Sequence, residues 1–100
     1  MDGLFKNSFE FEWDKGNERK NWVKHKINTK ESEDVFFDKH SFTTKDVKHS
    51  GLEDRFQILG KTDEGKYLAV YYTIRGYKLR IISARPMSKK ERIEYDKTKP

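Results

Sequence analysis

Three β-rich segments follow one another between residues 55 and 85, with short glycine-bearing links between them. Residues 55–60, 66–74 and 77–85 are rich in Ile, Val, Tyr and Leu, which is typical of strands. Links this short favour antiparallel pairing of consecutive strands. The segment therefore predicts an antiparallel three-stranded meander, and the rest of the chain must pack around it.

A fourth strand is predicted near the N-terminus, where residues 8–13 alternate between aromatic and acidic side chains. Asp14 follows as the predicted N-cap of a helix over residues 15–26. A second helix is predicted from residue 28 or 29 to residue 37, with Val35 and Phe36 facing inward. Residues 38–53 are polar and irregular and are predicted to form a loop.

The C-terminal end carries a helix signal directly after the predicted sheet. Pro86 ends the last strand, and Ser88 and Glu91 have the spacing of a capping box. The element order is then β-α-α-β-β-β-α. We expect one α+β domain over residues 1–100, with residues 1–7 as a loose N-terminal lead-in. Its sheet is predicted to be small, twisted, mainly antiparallel and four-stranded, with helices packed on it.

The sequence lacks several features that would define other protein classes. The chain has no cysteine, and its three histidines are scattered and do not resemble a zinc site. We expect no metal and no cofactor. Its apolar runs are too short to span a membrane or to form a signal peptide. The expectation is a soluble, cytoplasmic protein without a membrane partner.

Positive charge is concentrated in the last quarter of the chain. Residues 75–100 hold nine basic and three acidic side chains, a net charge of +6, whereas residues 1–74 have a net charge of −1. Such a segment suits a polyanion such as RNA or DNA. A solvated basic helix on a soluble protein would have the same composition, so charge alone leaves both interpretations open.

Strand alternation sorts the side chains of the meander onto two faces. The face predicted to lie under the helices carries Phe56, Ile58, Leu68, Val70, Ile74, Leu79 and Ile81. The opposite face carries Arg55, Gln57, Tyr67, Tyr71, Thr73, Lys78 and Arg80. Tyrosines mixed with arginines suit single-stranded RNA, because rings stack on bases and guanidinium groups hold phosphates. An ordinary solvated sheet face would also fit, so the residues alone indicate a nucleic-acid-binding domain at most.

A series of short motifs carries a family resemblance. In the N-terminal half these are FEWD at 11–14, NWVKH at 21–25 and VFFD at 35–38. In the C-terminal half they are EDRF at 53–56, ILG at 58–60 and RIISAR at 80–85, followed by Glu91, Arg92 and Tyr95. In order and spacing they resemble the BrnT family of toxins of bacterial type II toxin–antitoxin systems, which belong to the RelE-like ribonuclease fold. The resemblance covers nearly the whole chain.

Two positions depart from the family pattern. The family usually has glycine after the Lys-His pair, where this chain has Lys26, so the first helix is expected to end differently. The family commonly has a second arginine after the Ser-Ala-Arg motif, where this chain has Pro86.

The resemblance implies a metal-independent endoribonuclease that cleaves RNA and inhibits translation. It also implies a BrnA-like ribbon-helix-helix antitoxin that neutralises the toxin in a heterotetramer of two toxins and two antitoxins. Contact with DNA is then made only through the antitoxin. The alternatives are a non-catalytic RNA- or DNA-binding module and a protein-interaction domain.

Candidate site residues follow from the resemblance and from the tyrosine-bearing sheet face. The catalytic candidates are Arg80, Ser83, Arg85, Lys24, His25 and Glu91. The RNA-binding candidates are Arg55, Tyr71, Lys78, Arg92 and Tyr95. Strict alternation would place Arg80 on the face opposite Ser83 and Arg85. Either a β-bulge intervenes or Arg85 acts from the end of the strand.

Overall fold

The computed structural model of the chain describes residues 9–99, with residues 20–24 described by their backbone only. The predicted lead-in at residues 1–7 lies outside this range. The elements, in chain order, are β1 (Glu10–Glu12), α1 (Lys15–His25), α2 (Thr29–Asp34), a 3-10 turn (Val35–Phe37), β2 (Phe42–Lys45), β3 (Phe56–Lys61), β4 (Tyr67–Arg75), β5 (Lys78–Pro86) and α3 (Lys89–Asp96). No helix in the described range is long and apolar enough to cross a membrane.

The sheet has five strands in the order β1-β5-β4-β3-β2. Strand β1 pairs with β5 in parallel, and the other three pairings are antiparallel. The α+β class and the β3-β4-β5 meander are thus confirmed, but the prediction of four strands is wrong. The missed strand is β2, in the segment that was interpreted as a loop.

Strand β2 escapes sequence prediction because its stability comes from its neighbour. Its four residues are mostly polar, and it pairs along one edge with β3. Phe42 lies opposite Leu59 and packs with the buried side chains on that side of the sheet. The pairing with β3 and the packing of Phe42 both depend on residues distant in sequence. The pattern of apolar and polar residues within the strand therefore does not predict it.

The helix starts follow the predicted caps. The Asp14 side chain accepts hydrogen bonds from the backbone N–H groups of Gly16 and Asn17, at 2.9 and 3.2 Å. Asn28 begins α2 through a capping box with Glu31. Helix α1 ends at His25, and Lys26 then adopts a left-handed conformation with φ of 58°. Lys26 therefore has the left-handed backbone conformation in which glycine commonly ends a helix, although a lysine adopts it less easily.

The larger core lies between α2, the 3-10 turn and one face of the sheet. Val35 and Phe36 are fully buried there, as predicted, and Phe36 contacts the ring of Tyr72 edge to face at 5.0 Å. The predicted inward face of the meander lies in this core or packs against it. Gly60 is also required here, because a Cβ at that position would lie 2.8 Å from the Cβ of Val35.

A smaller core on the opposite face holds α3 against one end of the sheet. It consists of Leu59, Ala69 and Tyr95, which are all buried. The Tyr95 hydroxyl donates to Asp38, and burial raises the pKa of this tyrosine. Helix α3 therefore packs on this face of the sheet through its buried tyrosine.

Candidate active site

A β-bulge decides which side chains share the face beside α3. The register between β4 and β5 shifts between Tyr71 and Tyr72, and Ile82 is the extra residue on β5. The pairs on this side are Thr73 with Arg80, Tyr71 with Ser83 and Ala69 with Arg85. Because cross-strand partners share a face, the bulge places Arg80, Ser83 and Arg85 on one side of the sheet. It resolves the conflict that strict alternation created.

Arg85 and Glu91 form the most tightly bound pair on this face. Two parallel hydrogen bonds join the guanidinium to the carboxylate, at 2.7 and 2.8 Å. Glu91 also accepts from the backbone N–H of Ser88 and from the side-chain amide of Gln57, at 2.8 and 2.9 Å. The predicted capping box is present, and its glutamate also binds Arg85.

These contacts fix the ionisation of Glu91. The hydrogen bond from Arg85 lowers the pKa of Glu91 from 4.5 to about 2, against the opposing effect of burial. The same interaction raises the pKa of Arg85. Glu91 therefore remains a carboxylate at neutral pH and is poorly suited to exchange protons there. Its geometry suits it to hold the Arg85 guanidinium in place.

Tyr71 contacts two arginines. The Arg55 and Arg85 guanidinium carbons lie 5.0 and 5.5 Å from the centre of its ring. Its hydroxyl accepts hydrogen bonds from Arg85 at 2.8 Å and from Gln57 at 2.9 Å. The structure thus brings together four predicted site residues, Arg55, Tyr71, Arg85 and Glu91. We call these four residues with Gln57 the Tyr71 cluster.

In both arginine pairs of this region the cation is more exposed than its carboxylate. The Arg85 side chain is 34% exposed and the Glu91 side chain 16%. Arg55 is 26% exposed, and its partner Asp46, 3.4 Å away, is 13% exposed. Each arginine side chain is thus the more exposed member of its ion pair, although the Arg55 Nε itself is buried and has no hydrogen-bond partner among the described residues.

The loop between β2 and β3 forms a wall beside the Tyr71 cluster. His49 in this loop places its Nδ1 3.0 and 3.1 Å from the two carboxylate oxygens of Asp46. His49 lines two adjoining hollows on the surface. One, of about 170 Å³, is also lined by Gln57 and Tyr71, and the other, of about 300 Å³, by Arg55 and Thr73. We call the two hollows together the Tyr71 groove.

Sequence reasoning missed Asp46, His49 and Gln57 as members of this region. Gln57 was placed on the correct face but was not chosen as a site residue. Asp46 and His49 have the i, i+3 spacing at which an aspartate can bind a nearby backbone or side-chain donor within a turn. That spacing was a usable signal, but only the folded loop shows that the pair lies beside Arg55.

Arg80 lies on the predicted face but has different partners. Its guanidinium lies 3.5 Å from Glu12, the last residue of the edge strand β1, and 2.9 Å from Asp14, two residues further along the chain. The hydrogen bond from Arg80 lowers the pKa of Asp14. Ser83, opposite Tyr71, is nearer to the cluster in the strand register and is half-buried. Arg80 thus joins β5 to the acidic side chains at the end of the edge strand β1. Its ion pairs are separate from the Arg85–Glu91 pair.

The other basic candidates lie away from the Tyr71 cluster in the contact network. Arg92 stacks on Tyr67, with its guanidinium carbon 3.4 Å from the ring centre, and pairs with Asp96. Lys78 begins β5, with its Nζ 6.0 Å from the ring centre of Tyr77.

Three further candidates gain less support. Tyr95 has no exposed surface, so the prediction that it binds RNA is corrected: its ring fills the small core under α3. His25 is half-buried at the end of α1, a helix that packs against β5. The side chain of Lys24 lies outside the described residues.

Comparison with known proteins identifies the family. No curated protein matches the chain. Residues 13–91 match the family model described as the ribonuclease toxin, BrnT, of type II toxin–antitoxin systems. The matched range contains the whole Tyr71 cluster and extends over more than three quarters of the chain. The chain therefore belongs to the BrnT family of ribonuclease toxins of type II toxin–antitoxin systems.

Proposed function

We propose that this chain is an endoribonuclease that cleaves RNA in the Tyr71 groove without a metal ion. The observation that carries the proposal is that the Arg55 and Arg85 guanidinium carbons both lie within 5.5 Å of the Tyr71 ring centre, and that each arginine side chain is more exposed than the carboxylate paired with it. Two anchored guanidinium groups can bind the phosphate of an RNA backbone. Both terminal nitrogens of Arg85 already donate two hydrogen bonds each, so a phosphate must contact Arg85 through its Nε–H or replace one of these bonds, of which the 3.2 Å bond to the Pro86 carbonyl is the longest.

The same two arginines suit the chemistry of RNA cleavage. Attack of a 2′-hydroxyl on the adjacent phosphorus produces a phosphorane with additional negative charge on its oxygens. Fixed cationic donors lower the energy of that state more than the energy of the bound substrate. Arg85 is held on two sides, by Glu91 and by the Tyr71 hydroxyl, so its position is the better defined of the two. We therefore assign it the main role in stabilising the transition state.

The proposal is tested by incubating the purified chain with single-stranded RNA in the presence of EDTA. The wild type is expected to cleave, and Arg85→Ala should reduce the rate by about 10- to 1000-fold, as for the loss of one transition-state donor. Arg19→Ala removes an exposed arginine from α1 and should leave the rate unchanged. Binding without cleavage would favour the non-catalytic module. Loss of cleavage in EDTA, with recovery on adding a divalent ion, would contradict metal independence.

We further propose that the cleaved RNA is needed for translation and that the toxin acts in the cytoplasm. The family assignment supports this step, because an RNA-cleaving toxin of this class stops growth by removing an RNA that the cell requires. A cell-free translation reaction tests it directly. Wild-type protein should stop synthesis of a reporter, and Arg85→Ala protein at the same concentration should not. If both proteins inhibit translation equally, the inhibition does not come from RNA cleavage at this site.

The partner in the proposed complex is a ribbon-helix-helix antitoxin, in an assembly of two toxins and two antitoxins that binds DNA only through the antitoxin. The family assignment supports an antitoxin, and the partly exposed arginines of the Tyr71 cluster suit an acidic or amphipathic segment that orders as it binds. Light scattering of the co-purified pair measures the stoichiometry, and a gel shift with the promoter of the operon measures DNA binding. Specific binding of that promoter by the isolated toxin would contradict this division of roles.

A further inference from the structure

We infer that His49, oriented by Asp46, is the general base that accepts the proton of the attacking 2′-hydroxyl group. The inference rests on the proposed ribonuclease function and adds a catalytic residue that lies outside the candidates from sequence. The supporting observation is the position of His49, whose half-exposed imidazole is held by the Asp46 carboxylate and lines both hollows of the Tyr71 groove.

The position of His49 fits the substrate of such an enzyme. One hollow has a volume of about 170 Å³ and the other about 300 Å³, and His49 is the residue that lines both. The smaller hollow contains Tyr71 and Gln57, and the larger contains Arg55. A cleavable RNA step has one nucleotide on each side of the phosphate. Two adjoining hollows can receive these nucleotides, which brings the 2′-hydroxyl and the phosphate to the boundary where His49 lies.

Asp46 determines which nitrogen of His49 is available. Its carboxylate lies 3.0 and 3.1 Å from Nδ1, so a neutral imidazole donates its Nδ1–H to Asp46 and keeps a lone pair on Nε2. Asp46 is itself mostly buried and lies 3.4 Å from the Arg55 guanidinium, which restricts its movement. This carboxylate–imidazole arrangement is the one that orients histidine bases in other hydrolytic sites.

The resulting step balances without a metal or a redox partner. Nε2 takes the proton from the 2′-hydroxyl, and the oxygen uses that electron pair to form a bond to phosphorus. Arg85 and Arg55 stabilise the charge on the non-bridging oxygens. The bond from phosphorus to the 5′-oxygen then breaks, and water in the open groove supplies the proton to that oxygen. The products are a 2′,3′-cyclic phosphate and a 5′-hydroxyl end.

The other groups that line or border the groove are less suited to this role. The Arg85 hydrogen bond lowers the pKa of Glu91 to about 2, so it accepts protons poorly at neutral pH. The Tyr71 hydroxyl already accepts two hydrogen bonds, from Arg85 and Gln57. Of the side chains that line the two hollows, His49 is the only imidazole.

Replacement of His49 with rescue by free imidazole tests the inference. His49→Gln keeps a side chain that can donate to Asp46 but cannot act as a base, and His49→Ala opens space for imidazole. Each variant should lower the rate of RNA cleavage by about 100-fold or more, with a smaller change in KM, as for loss of general-base catalysis. Imidazole should restore activity to His49→Ala and not to His49→Gln. His40→Ala, in the turn after the 3-10 segment, is the control histidine and should cleave as the wild type does.

The outcomes separate this inference from the proposed function. If the wild type does not cleave RNA, both are overturned. If the wild type cleaves and both His49 variants cleave at the same rate, the inference alone is overturned. A folded His49→Ala variant that is slow and does not respond to imidazole would show a structural role and would also overturn it. Thermal unfolding of each variant establishes that it is folded.

Discussion

The salt bridge between Arg85 and Glu91 should make a measurable part of the stability of this fold depend on pH. The perturbation is Glu91→Gln, which removes the charge but keeps a residue that can complete the capping box with Ser88. The variant therefore isolates the ionic interaction from the helix cap. Since the same pair anchors Arg85, the measurement also tests how the proposed site is held.

The magnitude follows from the pKa of Glu91, which falls from 4.5 to about 2. Each unit corresponds to about 1.4 kcal/mol, so the shift sets an upper limit of about 3 kcal/mol. Because Arg85 is one third exposed, solvent weakens the interaction, and we expect a loss of about 2 kcal/mol for Glu91→Gln at pH 7. For a domain of this size that loss lowers Tm by roughly 10 °C.

The dependence on pH gives the sharper test. A carboxylate with a depressed pKa stabilises the folded state fully above the unfolded pKa of 4.5 and loses that effect as pH falls to about 2. Urea unfolding of both proteins between pH 7 and pH 3 should therefore show their free energies of unfolding converging below pH 4.5. Glu94→Gln, an exposed change in the same helix, should alter stability little at any pH. A difference between wild type and Glu91→Gln that stays constant with pH would refute the reasoning.

Two further predictions concern the backbone. Lys26 has a φ of 58°, so Lys26→Gly should be more stable in thermal unfolding than Lys26→Ala, which keeps a Cβ, by about 0.5–1 kcal/mol. A lower Tm for the glycine variant than for the alanine variant would contradict this. Gly60→Ala would place a Cβ 2.8 Å from the Cβ of Val35 and 2.9 Å from its carbonyl oxygen, and should cost about 1–3 kcal/mol in urea unfolding. Gly51→Ala meets no atom within 4 Å and is the matched control, and equal stability of the two alanine variants would show that the core yields at Gly60.

Local sequence signals were sufficient where neighbouring residues determine the structure. The capping box of Ser88 and Glu91 and the N-cap at Asp14 depend on contacts a few residues apart, and both are present. The inward face of the meander follows from alternation, and its residues are buried in the larger core or pack against it. The resemblance supplied Arg85 and Glu91 and the face pattern supplied Tyr71, and in the structure Arg85 binds both of the others.

The remaining features depend on contacts that sequence alone does not show. The bulge at Ile82 is formed where two isoleucines follow each other between Arg80 and Ser83, and in the sequence only the conflict between the faces of Arg80 and Arg85 indicates it. On α3, Tyr95 is buried and the neighbouring apolar Ile93 is 54% exposed, a difference set by how the helix docks on the sheet. The loop with His49 similarly reaches the site only through folding.

RNA binding across the Tyr71 groove underlies the proposed cleavage, and NMR with an uncleavable ligand tests this binding directly. An oligonucleotide with 2′-deoxyribose at the cleavage step lacks the attacking hydroxyl and can be titrated without turnover. We predict that the largest chemical-shift changes occur at Arg55, Tyr71 and Arg85, with little change at Arg19 on α1. Changes confined to α1 and α2, with none at the Tyr71 cluster, would contradict the proposed site.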